Sequence, residues 1–218
     1  MAQRPVFVTL SRQPFHDVYS VDFTYNSGFA VSQKQKNIMA LHTGFNARFP
    51  QKKVLEISSK SLQPLGVKLS AFNLKKFVPS LGYSVPVECV FQGGKVFAAG
   101  GPYTDLYTGT SRDAKGDPRL KASGALKAFE FEGVRYPLQP MTAFYDWLYI
   151  NALMENPELG EELTQFDAFT DIEFNPNKGI NCQARAAAIY VGLARQGLLE
   201  SCRDFGEFVK ITYGKNLK

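Results

Sequence analysis

Glu88, Gln92 and Lys95 place a carboxylate, an amide and an amine at spacings of four and three in the run Glu88-Cys-Val-Phe-Gln92-Gly-Gly-Lys95-Val-Phe97. That spacing predicts one face of a helix beginning near Pro86, whose fixed φ suits a first helical turn. One face carrying these groups offers an acid/base, an orienting hydrogen-bonding group and a nucleophile. Over seven residues a helix rises about 10 Å, so Glu88 and Lys95 would flank a substrate. Gly93 and Gly94 each cost a helix on the order of 1 kcal/mol relative to Ala. Their presence fits close approach by a ligand or by another backbone. The same stripe also matches a solvated polar face, so the residues alone leave both readings open.

Other chemistries lack their parts. His16 and His42 are the only histidines, and no motif recruits either to a Ser-His-Asp or Cys-His arrangement. Gly93-Gly94-Lys95-Val96 lacks the spacing and the Ser or Thr of a phosphate loop, and the chain has no GxGxxG. Cys89, Cys182 and Cys202 are odd in number, widely spaced and free of CxxC, which predicts neither a disulfide framework nor a zinc site. The expectation is an enzyme with no metal and no cofactor, working with carboxylates, lysines and binding geometry. No run has the length of a signal peptide or of the roughly 20 apolar residues of a membrane span. A soluble, reduced, cytoplasmic protein is therefore expected.

The elements that must position these groups read as α+β. Strands are expected at Val6–Thr9, Tyr19–Tyr25 and Lys53–Ser59, with a turn at Asn26-Ser27-Gly28 and a helix over Gln33–Leu41. From Val85 onward the pattern becomes helical, with further helices over Thr142–Met154 and Asn181–Leu199. With 218 residues and no repeat or linker, a single domain is the simplest organisation. Charge is uneven: residues 33–78 hold nine Lys or Arg against Glu56 alone, while residues 143–175 hold eight acids and no Lys or Arg. Such a basic stretch could lie along a phosphate backbone or form a solvated face.

The pattern Glu-x-x-x-Gln-x-x-Lys-x-Phe resembles the signature of the NADAR (YbiA-like) family. Leu69-Ser-Ala-Phe72-Asn73-Leu is similar to that family's early Leu-Ser-Asn-Phe element, and Ala114-Lys115-Gly116 to its Ala-Lys-x-Gly segment. Trp147 falls where a helix tryptophan is expected, and Asp171 followed by Gly179-Ile-Asn181 resembles the late Asp…Gly-x-Asn element. The likeness spans 69–193 as a motif-bearing core, with residues 1–66 as an N-terminal strand and helix extension. Leu55-Glu-Ile-Ser-Ser-Lys-Ser61, Phe144-Tyr-Asp-Trp-Leu-Tyr149 and Phe169-Thr-Asp-Ile-Glu-Phe-Asn-Pro176 resemble the branch encoded beside DarT-type DNA ADP-ribosyltransferase toxins. Cys89 stands where the family usually has histidine.

This resemblance implies a helix-rich domain with a small N-terminal antiparallel β element. It also implies an antitoxin that hydrolyses the N-glycosidic bond between ADP-ribose and guanine in DNA, with the single-stranded form as the expected substrate. ADP-ribose would be the product and a DNA ADP-ribosyltransferase the functional counterpart. Glu88 would serve as acid/base, Asp171 as electrostatic partner and Lys95 as a nucleophile forming a Schiff base with ribose C1. Phe72, Phe91, Tyr145 and Trp147 are candidates to stack on a base, though Trp147 suits a core equally. Gly100 and Gly101 could present N–H groups to the pyrophosphate or simply form a turn. Asn73, Gln92 and Asn181 complete the substrate-binding set, Asn181 alternatively capping a helix. Two other readings stay open: an N-glycosidase acting on phosphoribosylated small metabolites, and a non-catalytic module that binds ADP-ribose or sequesters the toxin.

Overall fold

Val6, Phe7 and Val8 are all buried, although successive side chains of a strand point to opposite faces. Both faces of that strand must therefore be covered. The computed structural model, which describes residues 2–177 and 179–215, shows what covers them.

β1 (Ala2–Thr9) and β2 (His16–Phe23) form an antiparallel hairpin, followed by α1 (Val31–Arg48), β3 (Val54–Glu56) and α2 (Pro64–Lys68). A second hairpin, β4 (Lys75–Val78) and β5 (Tyr83–Pro86), leads into α3 (Val87–Gly93). Then come β6 (Lys95–Phe97), α4 (Ser111–Gly116), α5 (Arg119–Ala122), β7 (Leu126–Phe131) and β8 (Val134–Tyr136). The rest of the chain supplies α6 (Ala143–Met154), α7 (Pro157–Leu163), β9 (Ala168–Thr170), α8 (Gln183–Arg195) and α9 (Phe205–Tyr213).

The first sheet has the order β2-β1-β9-β3, with β9 antiparallel to β1 and parallel to β3. On one face Val6, Val8, Ala168 and Ile172 pack against Ile38, Leu41 and Phe45 of α1. On the other, Phe7, Leu55 and Phe169 join the larger core around α6 and α8. Every residue of α6 from Ala143 to Leu153 is buried, as befits a helix that is largely apolar all round. Each fully buried large side chain there contributes about 1.5–3 kcal/mol of transfer free energy. The alanines of α8 leave room for that helix to approach closely.

The α+β class stands, but the division into early strands and late helices does not. β9 comes from the far end of the chain and sits between β1 and β3, while β6, β7 and β8 make a separate antiparallel sheet. The N-terminal β element is therefore completed by residues 168–170. α1 continues past Leu41 to Arg48. Gly44 does not stop it: a Cβ there would lie 3.0 Å from Val21 Cγ1 and 3.2 Å from Asp22 O. It marks where the helix crosses β2.

The two charge blocks meet in the fold. Lys34 pairs with Glu173 at 3.2 Å and Lys76, buried, with Glu155 at 2.5 Å. Part of the basic stretch is thus spent inside the molecule. No helix among the described residues is long and apolar enough to cross a membrane.

Candidate active site

α3 starts where Glu88 N–H donates to Ala71 O at 2.9 Å and Val87 N–H to Leu74 O at 2.9 Å. This fastens the helix to the segment carrying Phe72 and Asn73. Glu88 occupies the first turn, where a carboxylate meets the positive end of the backbone dipoles. Its Oε1 accepts from Gln92 Nε2 at 2.9 Å, and Gln92 Oε1 accepts from Lys95 Nζ at 2.6 Å. One amide, its orientation fixed by these two neighbours, bridges acid and amine.

This differs from the single helical stripe the spacing predicts. α3 ends at Gly93, and Lys95 opens β6, so its side chain returns toward Gln92 instead of standing a further turn along an axis. The glycines explain the break. A Cβ at Gly93 would lie 2.6 Å from Tyr107 Cε1 and 2.8 Å from Tyr103 O, and one at Gly94 would lie 2.6 Å from Glu130 O. What approaches them is the protein itself. Gly93→Ala is expected to cost about 1–3 kcal/mol of stability through overpacking, read as a lowered midpoint in chemical denaturation. An unchanged midpoint would show that the Tyr107 segment moves aside freely.

Lys95 is half-buried and its ammonium lies 4.8 Å from the centroid of the Phe91 ring. Burial lowers its pKa; the nearby Glu88 opposes that shift and Lys115 reinforces it. An amine that loses its proton more readily is a better nucleophile. Lys115 Nζ sits 5.3 Å from the Phe72 ring centroid, so Phe72 and the two lysines border one region.

Asp171 follows directly on β9. The Tyr145 phenol is held well above its usual pKa by burial, with Glu88, Tyr149, Cys182 and Asp171 adding to the effect. Tyr145 therefore lies within electrostatic reach of both carboxylates. Gln183, absent from the sequence-based set, braces the arrangement: its Oε1 accepts from Ala71 N–H at 2.7 Å and its Nε2 donates to Ile57 O at 2.7 Å. It also favours the charged form of Asp171, against the effect of burial. A glutamine at the start of a helix carries no signal that would have singled it out.

The remaining candidates divide. Phe91 packs edge-on against Tyr145 at 5.0 Å and beside Phe129 at 5.4 Å, serving as a floor for Lys95 and not as an open stacking face. Trp147 belongs to the core, its Nε1–H donating to Arg203 O at 3.0 Å and its ring packed on Tyr136 and Phe205. Asn73 spends its amide on Val67 O at 2.8 Å. Cys182, not Asn181, holds the cap position of α8. Gly100 and Gly101 fold back on β6, where a Cβ on Gly101 would lie 2.2 Å from Lys95 O; this tight turn supports the lysine's strand. Two surface depressions, about 440 and 610 Å³, lie elsewhere and are not lined by Glu88, Lys95 or Asp171.

The chain matches one family along its length. The model of the DarT1-associated NADAR antitoxins aligns with residues 2–218. The chain belongs to that family. No curated protein matches it. The match of this antitoxin covers residues 2–66 as well as the motif-bearing core, and β1 and β3 from that N-terminal part are the two strands between which β9 sits.

Proposed function

We propose that this antitoxin hydrolyses the N-glycosidic bond joining ADP-ribose to guanine in DNA, undoing the modification made by a DNA ADP-ribosyltransferase. The observation that carries the reading is the Glu88–Gln92–Lys95 bridge beside a half-buried amine. Breaking the C1–N bond develops positive charge on the ribose, which favours carboxylates nearby and a proton donor for the departing base. Glu88 acts as acid/base, and Lys95, when neutral, captures the ring-opened C1 as an imine that water then hydrolyses. Asp171 supplies the second carboxyl. Phe72 borders the bound base or adenine. ADP-ribose and intact guanine are the products.

Incubation with guanine-ADP-ribosylated single-stranded DNA is expected to release free ADP-ribose, measured by mass spectrometry, at a rate unchanged by chelator. Among the described residues no group of three His, Cys, Asp or Glu side chains is placed to hold a metal ion. Complete loss of turnover in chelator would overturn the mechanism. Binding without release would instead indicate a module that only sequesters ADP-ribose.

A further inference from the structure

Glu56 is a carboxylate that closes the short apolar strand β3, only 2% exposed. Because Glu56 and Thr170 are register partners on the parallel strands β3 and β9, Asp171 leaves the sheet immediately beside it. Glu56 Oε2 accepts from Thr170 Oγ1 at 2.5 Å, and Glu56 Oε1 accepts from Ile172 N–H at 2.8 Å. The residues on both sides of Asp171 are thus tied to one buried side chain. Behind Thr170, His42 Nε2 lies 2.8 Å from the same hydroxyl.

We propose that Glu56 is a positioning residue for Asp171, which it holds beside the site as the donor of a proton to the departing base. This rests on the glycohydrolase reading above. A buried Glu56 and a partly buried Asp171 beside it do not readily carry two charges, and the hydrogen bonds decide which keeps its proton. Glu56 has a donor on each oxygen. The backbone donors to Asp171, Glu173 N–H at 3.0 Å and Phe174 N–H at 3.2 Å, converge on Oδ1 alone. Charge therefore rests on Glu56 and the proton on Asp171.

The surroundings agree. Burial, followed by the Glu56 charge, raises the Asp171 pKa above the carboxylate range; Gln183 and the Glu173 N–H oppose this, and the Glu173 carboxylate adds to it. Burial raises Glu56 as well, and its bonds from Ile172, Thr170 and Ser58 oppose that only in part. Glu173 is itself paired with Lys34. From α6 and the α8 cap, Asp171 faces Tyr149, Tyr145 and Cys182, all kept protonated by burial. From α1, His42 is lowered to about 4 by burial and stays neutral, so it does not cancel the Glu56 charge. In the reaction the Lys95 nitrogen bonds to C1 while the C1–N electron pair goes to the base, which takes the Asp171 proton; Glu88 accepts the proton the amine gives up and returns it when water displaces the lysine. Water later adds to C1, and its proton restores the acid.

The test compares wild type, Glu56→Gln and Thr170→Val in single-turnover cleavage of ADP-ribosylated single-stranded DNA across pH. It is paired with titration of the Asp171 carboxyl carbon by NMR in the free protein. Removing the Glu56 charge should move the Asp171 titration toward acid by about one unit or more. The rate deficit of Glu56→Gln should then grow with pH, from little at acid pH to about tenfold at alkaline pH. Thr170→Val, which removes one of the hydrogen bonds holding the charge on Glu56, should move the Asp171 titration the same way by less and give a smaller deficit with the same pH dependence. A pH-independent deficit in Glu56→Gln, or an Asp171 that titrates as an ordinary carboxylate in wild type, would overturn the proposal. If Glu56→Gln does not fold, the wild-type titration decides. If wild type cleaves nothing, the glycohydrolase reading fails, while the titration still shows whether Glu56 keeps the proton on Asp171.

Discussion

Glu88→Gln is expected to bind ADP-ribosylated DNA normally and to turn it over roughly 10²–10⁴-fold more slowly, the usual contribution of a positioned acid/base. The substitution keeps the shape of the side chain, and the amide carbonyl it introduces can still accept from Gln92 Nε2, which now bonds Glu88 Oε1 at 2.9 Å. The anchor of the helix, Glu88 N–H to Ala71 O, involves backbone alone and survives. What disappears is a group that can take up and release a proton, together with its charge beside Lys95. Fluorescence-monitored binding combined with single-turnover rates separates these effects. Normal turnover would make Glu88 an ordinary first-turn acid of α3.

Lys95→Arg is expected to be nearly inactive, and borohydride added to the wild type during turnover should trap an adduct of ADP-ribose size on the peptide containing Lys95. Arginine keeps the positive charge and can still donate to Gln92, but its guanidinium stays protonated and forms no imine. Burial above Phe91 lowers the Lys95 pKa and so makes its neutral amine easier to reach, a form the guanidinium does not offer. Substantial activity in Lys95→Arg, with no adduct in the wild type, would show that position 95 contributes only charge. An adduct on Lys115, which borders the same region, would keep the covalent route and move the nucleophile.

Much of this site could be read in the order of residue types, because Glu88, Gln92 and Lys95 lie within eight residues of one another. Their meeting survived a wrong local geometry: the chain leaves the helix at Gly93, yet the long lysine side chain returns to Gln92. The reason for that break was out of reach, since it depends on Tyr103, Tyr107 and Glu130, which contact the glycines only after folding. β1, α6 and α8 were legible from apolar patterning. β9 was not, because three residues that owe their strand character to neighbours on both sides carry little periodic signal. Trp147 shows the limit of motif reading: a position expected from resemblance is occupied, but its indole is committed to the core. Glu56 did leave a trace, as a lone acid flanked by Leu55 and Ile57, and a buried charge requires partners that its own strand cannot supply.

The insertion of β9 between β1 and β3 bears on how soon a newly made copy can protect its cell. Synthesis runs from the N-terminus at about 5–20 residues per second, and the strand that fills the gap in the first sheet is residues 168–170. Until it emerges, β1 and β3 have no common partner and Asp171 does not exist. Partial chains from interrupted translation, even those already containing Glu88 and Lys95, would expose open strand edges that invite aggregation. The first sheet and the helix that braces it are therefore completed together, only after β9 and α8 have both joined the chain.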